Sequence, residues 1–261
     1  MESNIDLHVH TYYSDGTLSP TEIIKWAKKT KLDQVSITDH DGVEGVQEAL
    51  IAGEALEIVV IPGIELSADE SNGIGMHILG YRIDIHNKEL NNKLEYIKQK
   101  RKERNDKVIT VLSDLGYPLF YEDMKKRGNG KYIGKPDFAR GLINKGYITK
   151  FSEAFEMGQF LMSEKVRKIK KEKISAEEAI ELIYGAGGIA VLAHPMKVTG
   201  LSGEYFKALE NLIIKLKDYG LKGMECFYPE HSEEETMKLV NLAEKYKLHV
   251  TKGSDYHGPK E

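Results

Sequence analysis

A single cysteine, Cys226, stands among 261 residues. That excludes a disulfide framework and the cysteine-rich zinc modules. No apolar run approaches the roughly 20 residues that a membrane-spanning helix needs. The opening residues, MESNIDLHVH, lack the basic start and apolar stretch of a secretory signal. Only 7 prolines occur, and no linker rich in Pro, Gly and Ser, low-complexity tract or internal repeat interrupts the chain. An excess of positive charge is also missing: Lys+Arg 37 against Asp+Glu 41 leaves a net charge of -4, so the chain as a whole is no polyanion binder. What is present is 41% hydrophobic and 30% charged residues, a mixture that buries a core and rules out wholesale disorder. The length suits one large α/β domain, or two smaller ones. The expected setting is soluble, reducing and cytoplasmic, with no membrane and no obligate protein partner.

Short apolar, β-branched runs alternate with helical stretches. Strands are expected near 4–9, 34–38, 58–62, 76–80, 188–193, 222–227 and 248–252, each bounded by Gly, Asp or Pro. Ser19-Pro20-Thr21-Glu22 is a capping box with proline in the first turn, which opens a helix over 20–30. Ser175 and Ser232, each followed by glutamates, open helices over 176–185 and 233–246. Such alternation predicts parallel strands joined by crossovers, in a barrel or an open doubly wound sheet. It breaks between 87 and 174, where a long charged helix over 88–115 precedes segments near 121–127, 136–146, 152–160 and 163–172. The expected organisation is therefore one α/β domain from 1–86 and 175–261, barrel or open sheet, with an inserted helical subdomain over 87–174.

The unusual residues gather at strand ends. His8 and His10 bracket Val9, His40 lies between Asp39 and Asp41, and Glu65 follows the third strand. His77 is on the fourth strand, His194 follows the fifth, Asp255 and His257 close the seventh, and Asp15 sits in the first loop. In parallel α/β folds this edge is where sites are built. Residues i and i+2 of a strand point the same way, so His8 and His10 can chelate one ion, and Asp255 and His257 repeat the spacing. Imidazoles mixed with carboxylates suit Mn²⁺, Fe²⁺ or Zn²⁺ rather than Mg²⁺ alone. The set is too large for one four-coordinate ion and sufficient for two or three, with Glu65 able to bridge. His86 and His249 read as ordinary polar residues, and Cys226 as a small core residue.

Asp6-Leu7-His8-Val9-His10-Thr11, Ser14-Asp15-Gly16, Thr38-Asp39-His40-Asp41, Gly63-Ile64-Glu65, Ala193-His194-Pro195 and Gly253-Ser254-Asp255-Tyr256-His257-Gly258 resemble, in order, the PHP (polymerase and histidinol phosphatase) family of metal-dependent phosphoesterases. Tyr132-Ile133-Gly134-Lys135-Pro136-Asp137-Phe138-Ala139-Arg140 is similar to the helical insert of its small stand-alone members, the nucleoside 3′,5′-bisphosphate phosphatases related to RNase AM. The resemblance implies a distorted (β/α)7 barrel. It also implies a partition of ligands: His8, His10, Glu65 and Asp255 on one metal; Glu65, His77 and His194 on a second; Asp15, His40 and His257 on a third. Asp15 stands where the histidinol phosphatases often carry histidine. The subgroup's Gly-Arg-Pro-His is here Gly134-Lys135-Pro136-Asp137, which exchanges a planar phosphate fork for a point charge. With the sequence ending soon after Gly258, no tail is expected to close the site.

The implied activity is hydrolysis of a phosphomonoester, with water activated by two to three divalent ions (Mn, Fe or Zn). Glu65, His194 and Asp255 are expected to carry catalysis. Lys135, Arg167 and His231 are expected to bind the substrate's phosphate, and Thr38, Asp39 and Asp41 to orient the imidazoles. The expected substrate is a nucleoside 3′,5′-bisphosphate or a short 5′-phosphorylated oligonucleotide. Histidinol phosphate and a non-catalytic metal-binding module are the alternatives. The basic stretches 98–104 and 165–173 are interleaved with glutamates, so they read as solvated helix faces more than as tracks for long nucleic acid.

Overall fold

The computed structural model describes residues 4–124 and 132–259. Among the described residues there are eight strands: β1 (Ile5–Val9), β2 (Gln34–Ile37), β3 (Val59–Asp69), β4 (Gly75–Tyr81), β5 (Ile174–Ser175), β6 (Ile189–Leu192), β7 (Gly223–Phe227) and β8 (His249–Lys252). Seven of them follow the sheet order β1-β2-β3-β4-β6-β7-β8, while the two-residue β5 pairs with β3. The sheet curls until the chain after β8 meets β1. There the His10 N–H donates to the Tyr256 carbonyl at 2.9 Å, so the barrel nearly closes.

The helices are α1 (Pro20–Lys29), α2 (Val46–Leu56), α3 (Lys88–Asp114), α4 (Lys135–Asn144), α5 (Glu164–Arg167), α6 (Ala176–Gly185), α7 (Tyr205–Asp218) and α8 (Glu233–Lys245). The capping boxes at Ser19/Glu22 and Ser232/Glu235 both form. Two helices, α2 and α7, were not legible as separate helices in the sequence. The barrel helices bury one face each against the strands. Ile23, Ile24 and Ala27 of α1 and Leu209, Ile213 and Leu216 of α7 are fully buried there.

Two expectations need correction. The strands are not all parallel: β4 runs antiparallel to both β3 and β6. The connection from Asp69 to Gly75 is a tight hairpin, too short for the dozen or more residues of a crossover. This hairpin also extends β3 to Asp69, so Glu65 lies inside a strand rather than after it. Between 87 and 174, the segments near 152–160 and 163–172 are not continuous helices. They form 3₁₀ turns at Phe151–Phe155 and Phe160–Met162 and only the four-residue α5. Near 121–127, Tyr121–Met124 is a 3₁₀ turn, and 125–127 lie outside the described residues. This region has an apolar cluster of its own, in which Val108, Leu112, Phe138 and Leu142 are fully buried.

Candidate metal centre

β1 places the first ligands. His8 and His10 are both wholly buried, with ring centroids 5.1 Å apart. Thr38 pins the residue between them: its hydroxyl accepts the Val9 N–H at 3.1 Å. Glu65, 1% exposed on β3, is the hub. Its Oε1 lies 2.9 Å from His77 Nδ1, 3.0 Å from His194 Nε2 and 3.4 Å from His8 Nε2. Its Oε2 lies 2.9 Å from His40 Nδ1 and 3.3 Å from His10 Nε2. Asp255 Oδ1 is 3.1 Å from His10 Nε2 and 3.4 Å from His8 Nε2. Asp15 Oδ1 is 3.1 Å from His257 Nε2, and its Oδ2 is 3.7 Å from His40 Nε2.

All nine ligand candidates therefore meet, in overlapping groups. His8, His10 and Asp255 form one, and His8, Glu65 and His194 another. His40, Glu65 and His77 form a third, and His10, Asp15, His40 and His257 a fourth. In each group the donor atoms lie within 4.8 Å of one another. The donor set fits divalent ions by a second criterion. His8 Nε2, His10 Nε2, His40 Nδ1, His194 Nδ1, Glu65 Oε2 and Asp15 Oδ1 are buried and make no well-formed hydrogen bond. Orphaned polar atoms at this density are costly unless a cation satisfies them.

The electrostatics say the same. Burial pushes the His8 imidazole down, but the charges of Glu225 and Glu65 outweigh it and raise it well above its usual value. His10 is likewise pushed up to about 10 against burial, by Asp255 and Glu65. Burial raises Glu65, but His40, His77 and His8 together hold it far below the carboxylate range. A buried carboxylate hub surrounded by imidazoles calls for positive charge, which metal ions supply in place of protons. The backbone is strained here too. Asp41, His194 and Asp255 have φ of 50, 24 and 53, a region L-residues enter at a cost of about 1–3 kcal/mol each.

Several residues that hold the candidate ligands escaped the sequence reading. Glu225, on β7, is wholly buried: its Oε1 lies 3.0 Å from His8 Nδ1, and its Oε2 accepts the His194 N–H at 2.7 Å. A carboxylate in the middle of the buried run GMECF is the signal that could have found it. Asp39 works through Ser14, whose hydroxyl donates to it at 2.5 Å and lies 3.2 Å from His10 Nδ1. Tyr228 donates to Asp255 Oδ2 at 2.9 Å.

The expected phosphate ligands are dispersed. Lys135 is at the first turn of α4, where burial, then Arg104 and Lys173, lower its ammonium below the usual lysine value. Arg167 is exposed at the end of α5 and lines neither cavity at the centre. His231 Nδ1 lies 3.0 Å from the Cys226 carbonyl oxygen, with its ring 5.1 Å from Tyr228. Asp137 is fully buried and caps α4, accepting the Gly134 N–H at 2.7 Å and Arg140 at 3.1 Å. Lys173 and Lys197 line a cleft of about 390 Å³ with His40, His77, His194 and His257. Arg101 and Lys171, both from basic stretches expected to be solvated, reach Asp41 at 2.5 Å and 3.3 Å.

The sequence pattern of the PHP domain matches residues 6–249, nearly the whole chain. The chain belongs to the PHP domain family. It is 31% identical to a 5′-3′ exoribonuclease of Haemophilus influenzae, over 99% of this chain and 92% of the relative. A 3′,5′-nucleoside bisphosphate phosphatase of Chromobacterium violaceum is 32% identical, over 99% of this chain and 89% of the relative. The solved structure of a protein described as a metal-dependent phosphoesterase, from Bifidobacterium adolescentis, superposes with a TM-score of 0.85 at 28% identity, covering 99% of this chain and 89% of that one. This PHP protein is thus a metal-dependent phosphoesterase, a hydrolase of phosphoric ester bonds. No helix among the described residues is long and apolar enough to cross a membrane.

Proposed function

We propose that this PHP protein removes a phosphate from a nucleoside 3′,5′-bisphosphate or from a short 5′-phosphorylated oligonucleotide. One observation carries the reading: a second set of cations stands beside the ligand cluster. Lys135 feels the charges of Arg104 and Lys173, and Lys171 those of Arg101 and Lys173; Asp41 pairs with Arg101 and Lys171, so the set consists of Arg104, Lys135 and Lys173. Lys173 belongs both to this set and to the cleft of His77, His194 and Asp255. A lone monoester needs one anion site, whereas two such sites suit a substrate with two phosphates. The names of the H. influenzae and C. violaceum relatives, an exoribonuclease and a bisphosphate phosphatase, agree with that class.

In this reading 1–86 and 175–261 form the barrel, and 87–174 form an inserted subdomain that supplies the whole of the second set. Two to three divalent ions (Mn, Fe or Zn) are held by His8, His10, Asp15, His40, Glu65, His77, His194, Asp255 and His257. Bound there, such ions make water nucleophilic near neutral pH and offset phosphoryl charge. Glu65 joins the ligand groups, Asp255 is fixed through Tyr228, and the backbone of His194 is fixed through Glu225. Lys197, 3.9 Å from Asp255, and Lys173 hold the scissile phosphate at the cleft. Phosphate release with added Mn²⁺ from adenosine 3′,5′-bisphosphate, AMP, histidinol phosphate and a short 5′-phosphorylated RNA tests this. Preference for the bisphosphate or the RNA supports it; preference for histidinol phosphate refutes it.

A further inference from the structure

Two of the candidate ligands, Asp255 and His257, stand on the least tied part of the barrel. β8 ends at Lys252, and the chain carries both past the end of β1. Among the described residues β1 and β8 share no ladder; Val9 and Tyr256 form a single isolated bridge. Besides the bond from the His10 N–H, Tyr256 donates its own N–H to the His8 carbonyl at 3.3 Å. Asp255, with φ of 53, holds a conformation that persists only where its surroundings over-determine it.

Side chains outside the ligand set make up the difference. Asp6 accepts the Ser254 N–H at 2.9 Å, and the Thr17 hydroxyl donates to the His257 carbonyl at 3.2 Å. Trp26, the sole tryptophan, lies on the Tyr256 ring, with centroids 4.2 Å apart and planes within 8° of parallel. Asp255 and His257 reach inward, to His10 and Asp15 at 3.1 Å each, while the ring between them meets α1. The two serve different groups: Asp255 joins His8 and His10, and His257 joins His10, Asp15 and His40. One stacked pair therefore bears on both. Trp26 also borders a cavity of about 400 Å³ with Thr30, Leu32 and Phe227, so it is not wedged on every side. Tyr256 is its one ring partner among the described residues.

We infer that Trp26 is a positioning residue for the metal centre: its stack on Tyr256 holds Asp255 and His257, at the seam of the barrel, in the arrangement that binds metal. The inference rests on the assignment of these two residues as ligands above and goes beyond it, by naming a residue of the helix layer that sets their affinity through Tyr256. Zn²⁺ and Mn²⁺ affinities are measured by chelator competition on the wild type, Trp26→Leu, Tyr256→Leu and the double variant. Each single change should weaken binding about 2- to 10-fold, the range that one aromatic pair supplies. The double variant should bind no more weakly than either single one, because both remove the same contact. Trp26→Phe, which keeps a flat ring, should recover most of the affinity.

Losses that add in the double variant would mark two unrelated packing defects and overturn the inference, as would wild-type affinity in Trp26→Leu. A measurement on the wild type covers the case in which the variants do not fold. Coupling is reciprocal, so Zn²⁺ should tighten the stack and shield Trp26 emission from acrylamide quenching. Quenching that Zn²⁺ leaves unchanged would overturn the inference. His257→Ala separates it from the assignment beneath it. Undiminished metal affinity in His257→Ala would sink both, whereas a loss there with none in Trp26→Leu would sink the inference alone.

Discussion

Replacing Glu225 by glutamine tests how the metal ligands are held. Both carboxylate oxygens accept: Oε1 faces His8 Nδ1 at 3.0 Å and Oε2 takes the His194 N–H at 2.7 Å. An amide has the same shape but accepts at one end only; its NH₂ must then face either the His8 Nδ1–H or the His194 N–H. One of these buried donors loses its partner, at about 1–3 kcal/mol. Loss of a partner that orients a metal-binding histidine typically weakens metal affinity about 10–100-fold. Glu225→Gln should therefore raise the dissociation constant for Zn²⁺ or Mn²⁺ by that factor, measured by chelator competition on the purified protein. Its circular dichroism should match the wild type, and excess metal should recover much of the activity. Gly253→Ala is an orthogonal perturbation, since a Cβ there would stand 2.3 Å from Glu225 Oε1 and 2.3 Å from His8 Cβ. An unchanged metal affinity in Glu225→Gln would refute the reasoning: His8 and His194 would then be held without this carboxylate.

Asp41→Asn leaves Arg101 and Lys171 without their carboxylate and should cost about 3–5 kcal/mol in urea unfolding. Burial raises the Asp41 carboxyl, but Lys171 and Arg101 outweigh it and hold it well below the usual range. Its contribution is therefore present above the unfolded-state pKa of about 3.9 and is lost in stronger acid, so the gap between the two proteins should narrow below about pH 4. The lowered ammonium of Lys135 implies that KM for the bisphosphate rises at a pH below the ordinary lysine range. Lys135→Arg, which stays charged, should remove that rise from a pH–KM profile. Burial, then the charge of Glu225, pushes the Cys226 thiol up to about 12. Iodoacetamide at pH 8 should label it only after denaturation, as followed by mass spectrometry. Chelation should abolish activity and lower the melting temperature, and added Mn²⁺ should reverse both, because an ion that binds only the native state stabilises it.

The candidate ligands were legible because their chemistry is written locally. The His-x-His of β1 sets two side chains on one face whatever surrounds them, and capping boxes at Ser19 and Ser232 mark helix starts within four residues. Strand alternation left a barrel and an open doubly wound sheet both open, and the order of the motifs implied the family and, through it, the barrel. The direction of β4 was not legible, because a short apolar run reads alike in either direction and the length of the connecting turn decides. The segments near 152–160 and 163–172 are apolar or charged in helical fashion, yet packing around Phe160 and Val166 broke them into turns. The charged residues around the ligands were least legible. Arg101 and Lys171 lie in runs that look solvated, and only contact with Asp41, 60 and 130 residues away in sequence, draws them in. Glu225 and His8 are 217 residues apart. Sequence by itself determined which atoms can bind metal, since that is a property of residue type and spacing. Tertiary structure decided which charges are buried together, since desolvation and Coulomb energy depend on distances that only the folded chain sets.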